Sequence, residues 1–430
     1  MGKGSLAPCK RSSEANVAGS PEVAIKSNGK RQQFAKLRPG PGLPPSEVAA
    51  NQRTRFHAAM IQLVAERGYG KVTVQDLSGV AKVSTRAFYE NFRGKEDCFI
   101  RTHDLVVRRA AKHVLASQAG ESDWRKRLQL GFRAFFRELE REPRAARLAL
   151  VDAYLDGPVA REQARKAELL FSIMLAESFS HAPDSPGVSS VVTEAIVAGI
   201  TGVARQHILS GKRRTPPHLA DELVEWALSC HDRAVGPYPT PPSIPARTPA
   251  TTQPGTSDRD LSLAAVAKLA SAEGYAHLTV PRIRVAAGIS RQRFLGEFSG
   301  VDECLSAARD WRLDTALANA SLARDLAPAE SGTAAAVTAL AAQFAEDQSL
   351  ARLCFAVDCV GAHCLLEEDG RRATAVHRLA HVLYGPKADK LPSVAAQAGA
   401  SMVWAMIGSR ALSRRRHALQ GLVPLLAALA

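Results

Sequence analysis

The sequence predicts an all-α chain made of two tandem units. Three observations predict it: an alanine-rich and aromatic-poor composition, apolar residues recurring at helical spacing, and an internal repeat. Aromatics form 6% and hydrophobic residues 46% of the 430 positions. Alanine is the strongest helix former, whereas strands favour aromatic and β-branched side chains, so this balance leans to helices. A net charge of +14 suits an anionic partner, nucleic acid ahead of an acidic membrane surface.

Other classes drop out on the same page. No run of about 18 apolar residues is present, so neither a membrane span nor a membrane partner is expected. The first residues lack an apolar h-region, which argues against a secretory signal. Leu6 stands where a myristoylation site needs Ser or Thr. Seven cysteines with no C-x-x-C pair read as reduced thiols of a cytoplasmic protein. No H-E-x-x-H, G-x-S-x-G, phosphate-binding loop or dinucleotide glycine fingerprint occurs, so the expectation is a non-enzyme without a cofactor.

Two stretches resist regular structure. Residues 1–48 are rich in Ser, Gly, Pro and basic side chains. They read as a disordered basic arm, either solvated or able to follow DNA phosphates. Residues 233–258 hold seven prolines from Pro237 to Pro254, which favours an extended linker over a helix. The linker separates a head at 49–98 and a body at 99–232 from a second head at 259–304 and a second body at 305–430.

The heads carry the repeat. Moving the second back by 206 positions lays residues 273–305 on 67–99 without a gap, and ten of 33 positions are identical. Within the first copy, Phe56, Met60, Leu63 and Val64 form one stripe of a helix over 52–67, which Gly68 ends. Thr73 and Asp76 have capping-box spacing at the start of a second helix, which closes near Ala81. Ser84 caps a third over 85–90. Two short helices across a tight turn in a three-helix unit form a helix-turn-helix, whose second helix enters a major groove.

The run VSTRAFYENFRGKEDCF at 83–99 resembles the DNA-binding signature of TetR-type bacterial transcription regulators. Val83, Ser84, Phe88, Tyr89, Phe92, Lys95 and Glu96 match its pattern, as does the upstream Gly68, Tyr69, Thr73 and Val74. Asn91 stands where the family usually has His, and Lys82 where it usually has a turn glycine. The resemblance implies double-stranded DNA as partner. It also implies a larger helical body that dimerises and holds a small-molecule effector, with repression released by that effector.

Chemistry distributes the roles. Arginine bidentate to guanine is the commonest specific base contact, so Arg86 is the base-reading candidate, with Thr85 beside it. Tyr89 and Lys95 are placed to grip phosphates. Thr73 combines capping with a phosphate bond, and Ser84 and Asn91 complete the set. In the second head Leu295, Glu297 and Val301 replace Tyr89, Asn91 and Lys95. Arg291, Gln292 and Arg293 remain on the recognition helix, so weaker or altered DNA binding is expected there.

In the first body Trp124, Phe132, Phe135, Phe136, Tyr154, Phe171 and Met174 are candidates for an effector pocket, with plain core packing the alternative for each. The closing helices of each body, about 188–210 and 218–233 in the first, correspond to the family's pairing helices. Two arrangements stay open: an intramolecular pseudo-dimer, or a homodimer joining like halves of two chains. Cys354, Cys359 and Cys364, with His363, do not share a helix face, so no metal site is expected. His377 and His381 share a face without a companion ligand.

Overall fold

The computed structural model describes residues 44–153, 157–182, 187–211, 214–216, 218–235, 255–274, 277–355, 375–385, 393–411, 419 and 421–430. Every regular element among them is helical. Most of the basic arm, residues 236–254 of the expected linker, Tyr154, Cys359, His363 and Cys364 lie outside the described residues, while the ends of the expected linker at 233–235 and 258 are helical.

Helix α1 spans Pro45–Arg67, starting ahead of the predicted residue 52 and taking in positions read as part of the arm. Proline at the first helical position has its φ preset and gives up an N–H that has no partner there anyway. Gly68 ends the helix at φ 75, its N–H bonding Val64 O at 2.8 Å. Helix α2 is Val74–Ala81 and α3 is Thr85–Asn91. Their shared core is aromatic. Phe56, Phe88 and Phe92 are fully or almost fully buried, and the Phe56 ring meets the other two edge-on at 5.1 and 5.8 Å.

Helix α4, Lys95–Gln118, leads out of this head into the body. There follow α5 Trp124–Arg141, capped by Asp123, then α6 Pro143–Arg147 and a π turn at Leu148–Asp152. Helices α7 Gly157–Phe179, α8 Ser190–Leu209 and α9 Leu219–Val235 complete the first half. The core of the head takes in Leu148 and Ala153 around the π turn and Ala160 and Ala164 on α7. Head and body are therefore packed together rather than merely strung in series.

The order recurs after the linker. Helices α10 Asp258–Glu273, α11 Val280–Ala287 and α12 Arg291–Glu297 precede α13 Val301–Leu326. The α2 and α11 pair are both eight residues long, and the α3 and α12 pair both seven. Then come α14 Gly332–Glu346, α15 Gln348–Phe355, α16 at 375–384, α17 Ser393–Ala411 and α18 Val423–Leu429.

Helices α8 and α9 pack against α17 and α18, and one hydrophobic core runs through both halves. Ile196, Ile200 and Leu223 of the first half share it with Val403, Ile407 and Leu426 of the second. Glycine makes the close approach of α8 and α17 possible. A Cβ on Gly199 would lie 2.8 Å from the Ala398 carbonyl and overlap the Trp226 ring; one on Gly202 would overlap Ser401. Polar contacts close the ends: Arg410 pairs with Glu194 at 3.1 Å, and Arg233 donates to Leu429 O at 3.0 Å.

Candidate nucleic-acid interface and body cavities

The first head sets α3 by two caps and a tied turn. Thr73 Oγ1 accepts from Asp76 N at 3.1 Å while its hydroxyl donates to Asp76 Oδ2 at 2.6 Å. Asp76 also accepts from Thr73 N and from Arg67, and these bonds hold its carboxyl below the usual carboxylate range. Ser84 Oγ accepts from Ala87 N at 3.2 Å. Between the helices Lys82 sits in the left-handed region at φ 51, without being glycine. Arg55 on α1 compensates: its buried guanidinium donates to the carbonyls of both Ala81 and Lys82.

Phase then decides what α3 presents. Ala87 and Phe88 are buried, while Thr85, Arg86, Tyr89 and Glu90 face outward. The Arg86 side chain is 90% exposed and, among the described residues, is tied to Glu90 at 3.1 Å, itself 58% exposed. Such an exposed pair is weak and readily exchanged for a stronger acceptor. Tyr89 is 60% exposed. These four residues form one continuous outward face.

Two candidates lie off that face. Asn91 donates to Ala87 O at 2.7 Å and to Gln52 Oε1 at 3.2 Å, and accepts from Arg53 at 3.4 Å. It clamps α3 to α1. Lys95 Nζ donates to Tyr69 O at 3.1 Å and lies 4.2 Å from the centre of the Tyr69 ring, a cation–π geometry. Its ammonium lies against the turn that precedes α2.

In the second head Arg291, Gln292 and Arg293 are exposed on α12. Arg293 is bound to Asp258 on α10, and Arg282 to Glu273 at 2.6 Å. Arg259 approaches Glu297 at 4.0 Å. Where the first head shows Tyr89, this one shows Leu295, 46% exposed.

The first body contains two cavities that share Phe135, Phe171 and Thr201. They measure ≈ 580 and ≈ 540 Å³ including the space at their mouths. Among the pocket candidates, Phe132, Phe135, Phe171 and Met174 line the second cavity, and Phe135 and Phe171 line both. Trp124 instead stacks with Phe179 and His231, and Phe136 is buried in the core. Composition drew attention to aromatics and missed Arg109, Glu138, Glu142 and Glu168, which line the first cavity. A signal existed: Glu138 and Glu142 follow Phe135 at i+3 and i+7, putting carboxylates on an apolar stripe.

Among the described residues no helix is long and apolar enough to cross a membrane. The described free cysteines, Cys98, Cys230, Cys304 and Cys354, are buried. Burial pushes the thiols of the first three up to about 12.

Residues 57–102, from within α1 into α4, match the profile of bacterial regulatory proteins of the tetR family. The first head is thus similar to the DNA-binding head of those transcription regulators. No curated protein matches the sequence. Among solved structures, the fatty acid degradation regulator FadR from Bacillus halodurans is 15% identical, covering 40% of this chain and 96% of that one, at a TM-score of 0.37. FadR from Bacillus subtilis, solved in complex with stearoyl-CoA, is 17% identical, with 41% and 97% covered and a TM-score of 0.37. A putative transcriptional regulator from Pseudomonas aeruginosa PAO1 is 16% identical, with 45% and 96% covered and a TM-score of 0.38.

Proposed function

We propose that this protein is a sequence-specific DNA-binding transcription regulator, acting as a repressor that a small-molecule effector releases. The observation that carries the reading is α3: a short helix locked by Phe88 into an aromatic core, with Thr85, Arg86 and Tyr89 on its outward face. A helix held this way enters a major groove with its first turn against base edges. Arg86 leaves its exposed pairing with Glu90 for guanine, and Tyr89 donates its phenol to a phosphate. The Lys95 ammonium reaches a phosphate only by leaving its seat on Tyr69.

The second head has a lesser part. Arg293 is committed to Asp258, and the Glu297 carboxylate opposes phosphate. Pairing of α8 and α9 with α17 and α18 supports the reading of one chain as a pseudo-dimer with two unlike heads, suited to an asymmetric operator.

Release works through the π turn. Ala149 and Leu150 line the first cavity, while Leu148 at the start of the turn belongs to the core of the first head. A π turn has one residue more than the α-helical register and marks a place where register changes. An effector that prefers one arrangement of this turn shifts the population toward it. The head then leaves the spacing that fits successive major grooves, about 34 Å apart.

The test is binding of the full chain to duplex DNA flanking its own gene, at several salt concentrations. Arg86→Ala should cost about 1–3 kcal/mol on the specific site and relax base preference. Tyr89→Ala should weaken specific and non-specific duplexes alike. Unchanged affinity and salt slope in both variants would overturn the assignment of this face.

A further inference from the structure

The two body cavities differ in charge. Along an otherwise largely apolar wall, the first receives one guanidinium, Arg109, and three carboxylates, Glu138, Glu142 and Glu168. Glu138 is satisfied, with Arg109 at 3.0 Å and His113 at 2.8 Å. Glu142 is not: its Oε1 is buried and has no hydrogen-bond partner among the described residues. Burial, with Glu138 nearby, pushes the Glu142 carboxyl above its ordinary range against the opposing pull of Arg109 and Arg141. Glu168 adds a further carboxylate, with Thr201 Oγ1 at 3.5 Å. The second cavity, lined by Leu128, Phe132, Met174, Leu175 and Ile200 among others, has no ionisable side chain on its wall.

A void whose wall holds a buried carboxylate oxygen without a partner among the described residues selects by charge. In a region of low dielectric, ionic interactions are screened far less than in water. A carboxylate or phosphate group placed beside Glu142 would meet both repulsion and the loss of its hydration. An ammonium would meet an acceptor that the empty protein leaves unanswered. Phe135 and Phe171 line both cavities, so the two adjoin at these rings.

Resting on the reading of this body as the effector-binding part, we infer that the paired cavities take a lipophilic amine or monocation. Its cationic group lies against Glu142 in the first cavity, and its apolar tail runs past Phe135 and Phe171 into the second.

The full chain, free of DNA, is titrated calorimetrically with dodecylamine, dodecanol and dodecanoate, each below its micelle threshold. The amine should bind at least about tenfold more tightly than the other two. Glu142→Gln keeps the shape, removes the charge, and should lower amine affinity about tenfold, with its unfolding midpoint checking that it folds. The ranking of the three probes on the unaltered chain decides the matter even if the variant fails to fold. Dodecanol or dodecanoate binding as tightly as the amine, absence of amine binding, or a folded Glu142→Gln with undiminished affinity would each overturn the inference. Amine binding that leaves DNA affinity unchanged supports this ligand class and overturns the release mechanism alone.

Discussion

His57 shows how the first head depends on a neutral interior. Its ring is buried, and Nδ1 lies 2.8 Å from Thr102 Oγ1. Burial first, then Arg53 and Arg101, bring its pKa down to about 4 from 6.5. The unfolded chain therefore takes up a proton between pH 6.5 and 4 that the folded chain refuses. Stability should rise with pH through that window, and fall as pH drops through it, by on the order of 3 kcal/mol from this residue. Urea unfolding between pH 7 and 4 measures the slope, and His57→Gln should flatten it. An equal slope in parent and variant would refute this assignment. Nothing in the sequence marked His57, because its burial is set by α4 laid across α1. Tyr89 and Arg86 were legible, since helical phase relative to Phe88 settles which side chains face out.

Among the elements, the α2–α3 turn carries the largest departure from a simple helix-turn-helix. Lys82 holds a left-handed conformation that costs a non-glycine residue roughly 1–2 kcal/mol. Gly288 fills the matching place in the second head at φ 68. Arg55 bridges two carbonyls of the first turn, and the second head has Leu261 at the corresponding position. Arg55→Leu should leave those carbonyls short of a donor and cost about 1–3 kcal/mol. Lys82→Gly should stabilise the head by up to about 1 kcal/mol, since relief of the left-handed strain outweighs the extra freedom that glycine loses on folding. Thermal unfolding of the two variants checks both signs. The capping residues Thr73 and Ser84 were readable from spacing because a cap acts within four residues. The Arg55 bridge was not, since it joins positions 26 apart.

At the scale of the molecule, α8 and α9 cover α17 and α18 within one chain. Each large aliphatic side chain in that shared core contributes about 1.5–3 kcal/mol by leaving water, so neither half is expected to stay soluble alone. Light scattering after gel filtration should give the mass of one chain, 46.0 kDa. Proteolytic cutting between residues 236 and 254 should leave the halves together on the column. A mass of two chains would favour pairing of like halves in its place. Gly199→Val should push α17 away from α8 and lower stability by about 1–3 kcal/mol, read as a fall in the unfolding midpoint.

Taken alone, the sequence determined the short helices of the first head, the caps at Thr73 and Ser84 and the outward face of α3. Those depend on neighbours within a turn or two, so spacing specifies them. Folding in three dimensions decided the rest: that Lys95 rests on Tyr69, that Arg293 is held by Asp258, and that one carboxylate oxygen of Glu142 is left buried without a donor among the described residues. It also decided that the closing helices of the two halves meet each other. Such pairings join residues far apart along the chain, and only the path of the backbone says which groups find partners and which do not.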